Sequence, residues 1–306
     1  MFSWHLRLPV LLSIAAALAT IGLKFFAYWI TGSVSLFSDA IESLVNLLAS
    51  VTAFLSLWYA AQPVDAEHTY GHEKIEYFSS GMEGALILVA AGSIAWSGVE
   101  RLRNPQPLEQ LGIGLGVSVV AALINLTVAV MLLRVGRKYR SIVLEADGHH
   151  LMTDVWTSVG VVVALTLVQF TGWDWLDPLV AILVAINVCW TAVGLIRRSF
   201  DGLMDHALPE NEQALVRTAL EANMRPGMHF HALRTRQAGA RRFVDYHLLV
   251  PGSWSVTQAH AISDSIEDAV RKALAAEITV HIEPIEVEAS WQDSELLPLE
   301  PKRLGQ

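Results

Sequence analysis

The sequence predicts an α-helical membrane protein: six transmembrane helices followed by a small α+β domain with the element order αββαβ. Three observations carry this reading. Of 306 residues, 53% are hydrophobic and only 17% are charged, with a mean hydropathy of +0.42, whereas a soluble domain carries about 25% charged residues. The apolar excess falls almost entirely before residue 200, in long uncharged runs. The last third has the mixed polarity of a water-soluble domain. A wholly soluble enzyme, a disordered chain and a secreted disulfide scaffold are thereby excluded. Cys189 is the single cysteine, so neither an internal disulfide nor a thiolate metal cluster is available. A net charge of -9 argues against nucleic acid as a partner.

A membrane span needs about 20 mainly apolar residues. Six runs qualify, at roughly 9–30, 34–61, 76–100, 109–134, 144–171 and 177–199. The first is too long for the core of a cleaved signal peptide. Turn-forming residues punctuate the short connections, as in Thr31-Gly32-Ser33, Asn104-Pro105-Gln106-Pro107 and Thr171-Gly172-Trp173-Asp174. Arg7, Lys74, Arg134, Arg137, Lys138, Arg140, Arg197 and Arg198 collect on one side, and only Arg101 and Arg103 on the other. The richer side is expected to be cytoplasmic, which puts both termini there. Trp173 and Trp175 fit an interfacial aromatic belt on the far side.

Residues 1–200 are thus expected to form the membrane domain, 201–208 a linker and 209–288 a soluble domain, with 289–306 a flexible polar tail. Pro209 opens a helix over 210–223. Two β-rich runs, 228–237 and 242–250, flank the tight turn Gly239-Ala240. A second amphipathic helix over 256–276 and a third strand over 278–287 complete a two-layer sandwich.

Ionisable residues in the apolar runs are costly, at about 2.5–3.5 kcal/mol each near the bilayer centre. The second span carries Asp39, Glu42 and Asn46, with Glu42 and Asn46 four apart on one helix face. In the fifth, His150 and Asp154 are again four apart. Brought face to face, Glu42, Asn46, His150 and Asp154 supply four nitrogen and oxygen ligands, a set that suits a tetrahedral divalent cation such as zinc. Two carboxylates balance its charge, and without metal they need protons or water. Asp39 reads as an outer acceptor or a helix-start residue. Glu83, Asn125 and Lys24 read as structural, with Lys24 pairing with Glu83 or snorkelling to an interface.

Eleven histidines are present. Asp65, His68 and His72 lie in one loop, where Gly71 permits a tight backbone. His229, His231, His247, His260 and His281 lie in the soluble domain. Glu283 shares a strand face with His281. This supply points to a cytoplasmic metal site.

These residues, together with Ser33-Val34-Ser35-Leu36, Gly71-His72-Glu73-Lys74-Ile75-Glu76, Leu203-Met204-Asp205, Ala207-Leu208-Pro209 and Leu233-Arg234-Thr235-Arg236-Gln237, resemble the cation diffusion facilitator family, near its bacterial YiiP-type zinc and iron exporters. The resemblance runs from about residue 10 to 287. It implies a six-span homodimer in the inner (plasma) membrane that exchanges a cytoplasmic divalent metal for protons. It places the transport site at Glu42, Asn46, His150 and Asp154, and a loop site at Asp65, His68 and His72. A two-metal site, at His231, His247, His260, His281 and Glu283, belongs to a metallochaperone-like (ferredoxin-like) dimerising domain. Lys74 and Asp205 match a charge interlock at the dimer interface. Relatives usually carry Asp at position 46, and an apolar residue at the position of His149, which here reads as a gate, proton acceptor or entry ligand.

The partners implied are the bilayer, protons, divalent metal ions and a second copy of the chain. The expected cargo is zinc, with iron(II), cadmium, cobalt, nickel and manganese as alternatives. Copper(I) prefers sulfur, and magnesium and calcium prefer all-oxygen cages. An enzyme is not expected: no His-Glu-x-x-His run is present. The alternative is a membrane-anchored metal sensor, in which the soluble domain does the work.

Overall fold

The computed structural model describes residues 4–31, 34–104, 112–173 and 175–291. Within the helices, the side chains of residues 4, 31, 34–42, 45, 112–115, 118, 161, 165, 169 and 177 lie outside that description. The chain divides into two compact units, Met1–Met204 and Asp205–Gln306.

Among the described residues, the first unit consists of six long helices: α1 (Trp4–Thr31), α2 (Val34–Ala60), α3 (Ile75–Arg103), α4 (Gly112–Tyr139), α5 (Ile142–Thr171) and α6 (Leu176–Leu203). Each has 27 to 30 residues, or about 40 Å at 1.5 Å per residue, which exceeds the roughly 30 Å of hydrocarbon in a bilayer. Five of them, α1 and α3 to α6, are long and apolar enough to cross a membrane. In α2 the described apolar stretch is Asn46–Ala60. The outward faces are apolar, with Trp29, Phe170 and Trp190 each more than 80% exposed. In lipid that is the low-energy arrangement, because hydrocarbon solvates these side chains as well as a protein core does.

Helix α5 organises the unit. Its Val143, Leu144 and Leu151 pack into a cluster with Val10 of α1, Ala53 and Leu57 of α2, and Ala129 and Leu132 of α4. Its Ile142 and Ala146 pack into a second cluster with Tyr77, Ile87 and Ala91 of α3 and Val188, Ala192 and Leu195 of α6. A tight corner feeds α4 into α5. Arg140 there has φ 57, and Ser141 N–H donates to Gly136 O at 3.0 Å. At its other end α5 stops on Gly172, whose φ of 71 suits the left-handed cap that Gly adopts without strain. Helices α3 and α6 approach so closely that a Cβ on Gly98 would lie 2.8 Å from Ile182 Cγ1 and 3.2 Å from the backbone oxygen of Pro178.

In the second unit, Pro209 caps α7 (Glu210–Asn223). Then follow β1 (His229–Ala238), β2 (Arg241–Val250), α8 (Val256–Ala273), β3 (Glu277–Pro284) and a 3-10 turn, Glu288–Trp291. The described sheet has the order β1-β2-β3, antiparallel between β1 and β2 and parallel between β2 and β3. A parallel pair needs a crossover, and α8 supplies it. The hairpin turns at Gly239, with φ 56. Alternate residues of β2, Val244, Tyr246, Leu248 and Val250, join Val216 and Leu220 of α7 and Ala259, Ile266 and Val270 of α8 in one core. The period of two then sends Asp245 and His247 to the other face. A capping box between Ser255 and Gln258 starts α8. The 3-10 turn is held where Trp291 Nε1–H donates to Ile285 O at 2.8 Å and the indole stacks on His229. The rest of the tail expected over 289–306, from residue 292 on, lies outside the described residues.

Gly98→Val is expected to destabilise the membrane unit by about 1–3 kcal/mol, the range for overpacking. It should read out as a lower melting temperature in detergent. Gly92→Val, on the same helix with open space at its Cβ, should leave that temperature unchanged. Ser255→Ala should cost about 1 kcal/mol through loss of the α8 cap.

Candidate metal centres

Asn46 of α2 faces His150 and Asp154 of α5, one helical turn apart. All three are buried or half-buried. The Asn46 amide works in both directions. Its Nδ2–H donates to Asp154 Oδ2 in a short hydrogen bond, and its Oδ1 accepts from His150 Nε2–H at 2.6 Å. His150 Nδ1 is buried and has no hydrogen-bond partner among the described residues. In a neutral ring that nitrogen is the lone-pair atom.

A fourth residue joins the set. Asn125 of α4 is buried and donates through Nδ2 to Asp154 Oδ2 at 3.0 Å. Its Oδ1 is buried with no partner among the described residues. From sequence alone Asn125 reads as structural, because a single amide in an apolar run has no periodic companion to mark its face. The side chains of Asp39 and Glu42 lie outside the described residues.

The loop between α2 and α3 gathers Asp65, His68 and His72, whose ligand atoms all lie within 4.8 Å of one another. Asp65 Oδ1 accepts from the backbone N–H groups of His68 at 2.6 Å and Glu67 at 2.9 Å. The His68 N–H, more than any other partner, holds the Asp65 carboxyl below its usual range, although partial desolvation opposes it. The carboxylate is therefore kept ionised and aimed at the rings: His68 Nδ1 is 3.1 Å from Oδ1 and His72 Nε2 is 3.2 Å from Oδ2. Gly71, at φ 92, makes the turn that returns His72. The edge of Tyr59 packs on His72, with ring centroids 4.7 Å apart.

In the second unit the sheet sets the ligands by register. His231 lies opposite His247 across the antiparallel pair, and His247 opposite His281 across the parallel pair. Neighbouring ring centroids are 5.0 Å apart in both steps. Glu283, two residues past His281, reaches back. Its Oε2 is 3.2 Å from both His231 Nε2 and His247 Nδ1, and its Oε1 is 3.5 Å from His281 Nε2. His231, His247 and Glu283 form the tight group, and His281 stands exposed at its edge.

His260 is not drawn in. It sits on the exposed side of α8, 3.5 Å from Asp264, because the neighbouring Ala259 is the residue that α8 turns into the core. His149 is half-buried, in the field of Glu145, Arg137 and Arg198. Lys74 caps the start of α3. Asp205, with φ 56, pairs with Arg236 of β1 at 3.5 Å. Lys24, for which the sequence left open pairing with Glu83 or snorkelling to an interface, is buried and donates through Nζ to Ser43 Oγ of α2 at 2.7 Å.

A bundle of membrane-length helices with polar side chains turned inward, followed by a unit with its own histidine cluster, is the organisation of a membrane ion transporter. Comparison with known proteins gives the particular kind. Residues 10–204 match the cation efflux transmembrane domain and residues 208–285 match the cation efflux protein cytoplasmic domain. "Uncharacterized transporter sll1263" of Synechocystis sp. is 50% identical over 94% of this chain and 93% of its own length. The cation-efflux pump FieF of Shewanella oneidensis is 34% identical over 95% of this chain and 98% of its own. The solved metal-bound C-terminal domain of the CzcD transporter from Thermotoga maritima is 25% identical, covering 26% of this chain and 99% of that one, with a TM-score of 0.24. The chain belongs to the cation diffusion facilitator family of cation efflux transporters.

The two histidine environments of the second unit make a discriminating pair. His247→Ala is expected to lower the zinc bound per purified full-length chain, measured by elemental analysis after dialysis. His260→Ala should leave it unchanged.

Proposed function

We propose that this protein is a proton-coupled antiporter that exports a divalent transition-metal cation from the cytoplasm. Zinc is the first candidate, and Fe2+, Cd2+, Co2+, Ni2+ and Mn2+ are the alternatives. The observation that carries the reading is the buried set Asn46, His150 and Asp154 on two facing membrane helices. Polar groups at this depth are costly, and their mix of imidazole nitrogen and carboxyl and amide oxygen favours a borderline metal over copper(I), magnesium or calcium. Glu42, one turn before Asn46 on α2, completes the proposed ligand set.

The exchange follows from how these atoms are occupied without metal. The Asn46 amide then ties up Asp154 Oδ2 and His150 Nε2. An arriving ion must break those hydrogen bonds and meet deprotonated ligands. Protons returning to His150 and to the Asp154 or Glu42 carboxyl restore the metal-free state. In an alternating-access cycle the ion enters from the cytoplasmic side, and rearrangement of α2 against α5 opens the site outward. The excess of Lys and Arg at one set of loops supports a cytoplasmic location for both termini.

The cytoplasmic domain is assigned the role of a homodimerising metal sensor. Metal on His231, His247, Glu283 and His281 biases the transport equilibrium, and the Asp65, His68 and His72 loop supplies a further site. Asp39 and His149 would shape the entry path, and Lys74 and Asp205 would lock the dimer.

The test is flux into proteoliposomes across a metal panel, driven by a pH gradient. Asp154→Ala is expected to abolish uptake, and Asn46→Asp to change the order of metal preference. Uptake by Asp154→Ala at the wild-type rate, or wild-type flux that ignores the pH gradient, would overturn the proposal.

A further inference from the structure

Two further helices meet α5 at Asp154. Its Oδ2 accepts from Asn46 of α2 in a short hydrogen bond and from Asn125 of α4 at 3.0 Å. Asn125 lies on the inward stripe of α4. Ala121 and Ala129, four residues to either side, and Leu132 beyond them are all buried, and residues at that spacing share one helix face. Ala129 and Leu132 pack into the cluster with α1, α2 and α5. Asn125 itself is only 3% exposed.

Chemistry sets which way the amide turns. An ionised carboxylate only accepts, so the atom that meets Asp154 is Nδ2, and Oδ1 is left over. That oxygen is buried with no hydrogen-bond partner among the described residues. Hydroxyls on the helices packed beside α4 are engaged elsewhere. On α1, Ser13 pairs with Ser50 of α2, and Thr20 donates to Ala17 O. On α5, Thr153 donates to His149 O and Thr157 to Asp154 O. A buried carbonyl oxygen without a donor is costly and uncommon enough to need a reason. His150, linked to the same carboxylate through Asn46, holds another: its buried Nδ1 has no partner among the described residues either. One chain of hydrogen bonds, Asn125–Asp154–Asn46–His150, thus ends in an unsatisfied amide oxygen and an unsatisfied imidazole nitrogen. Acceptors left over beside a carboxylate are what a cation satisfies.

We propose that Asn125 is a specificity-determining residue of the transport site: its Oδ1 is a further ligand, supplied by α4, and it favours manganese(II) relative to zinc. The inference rests on the transport reading above and concerns which ions that site prefers. Glu42, Asn46, His150 and Asp154 alone make four ligands, the number that closes a tetrahedral zinc site. An oxygen from α4 takes the count past four and the balance toward oxygen, the surroundings that suit manganese(II). The imidazole of His150 still keeps the set from becoming the all-oxygen cage of calcium. Because the added ligand is neutral, it alters the choice through coordination number and adds no further anion to be buried without metal. Nδ2 and Oδ1 share one planar amide, so the hydrogen bond that holds Asp154 also fixes where the oxygen lies.

The test is pH-driven flux by the full-length protein in proteoliposomes, with Mn2+ and Zn2+ as the probes, read as the ratio of their kcat/KM values. Asn125→Leu keeps the bulk and offers neither donor nor acceptor. It is expected to lower the manganese value by about ten- to a hundredfold, the usual cost of losing a group that supports a metal site, and the zinc value by about tenfold less. Asn125→Asp keeps an oxygen and discards the N–H donor, and it should hold the ratio at or above that of the wild type. If Asn125→Leu does not fold, Asn125→Ala, which also lacks the oxygen, carries the same expectation. An unchanged ratio in the Leu or Ala variant, or a fall in the ratio in Asn125→Asp equal to theirs, would overturn the inference and leave the transport reading standing, since Asn125 would then only hold Asp154. Wild-type protein that carries zinc and no measurable manganese would overturn it as well. Flux at the wild-type rate in Asp154→Ala would overturn both.

Discussion

A hydrocarbon surrounding offers no hydrogen bonds, so polar side chains inside the six-helix unit turn to a neighbouring helix or to a carbonyl of their own. The described pairs follow that constraint: Ser13 with Ser50, Lys24 with Ser43, Asn46 with Asp154, Asn125 with Asp154, and Ser50 with Asp147. Nearly all of them end on α2 or α5. Helix α5 also packs into both apolar clusters of the unit. The helix that packs into both clusters is therefore also the helix that carries the proposed ligands His150 and Asp154. A change in what His150 and Asp154 contact is felt on both sides of the bundle, because α5 cannot move without disturbing α1, α2 and α4 on one side or α3 and α6 on the other.

What was legible in the sequence was what has a period. Asn46, and the pair His150 and Asp154, stood out because spacing by four in an apolar run puts side chains on one helix face. The row His231, His247 and His281 was legible because strands alternate and the hairpin turn at Gly239 fixes the register. Single residues were not legible in the same way. Asn125 has no companion on α4, so only the fold shows that it reaches Asp154. Asp147 lies inside the span expected over 144–171, among the polar residues Glu145, His149 and His150, whose spacing alone does not say which of them the bundle buries. In the fold, α5 begins at Ile142 and Asp147 is wholly buried. His260 shows the converse. The resemblance placed it among the ligands, and in the fold it lies on the exposed side of α8 beside Ala259, which packs into the core.

The second unit reaches a comparable ligand set by different means. Its core needs Val244, Tyr246 and Leu248 on the helix side of β2, and the alternation of the strand then forces His247 to the open face. Folding and ligand placement are one requirement there, since a register slip of one residue would bury His247 and expose Tyr246. No such automatic device exists in the membrane unit. Its ligands are placed by helix crossings, which depend on close-packed small residues such as Gly98 rather than on backbone pairing.

The amide at position 46 does something a carboxylate there could not. It donates to Asp154 and accepts from His150 at the same time, whereas an ionised carboxylate only accepts and would repel the Asp154 charge. A metal-free site built on Asn46 is thus internally satisfied with a single charged acceptor, Asp154, among the described side chains. On the proposed function, an amide at this position forgoes one anionic ligand and leaves a metal-free arrangement that needs fewer counter-charges in low dielectric.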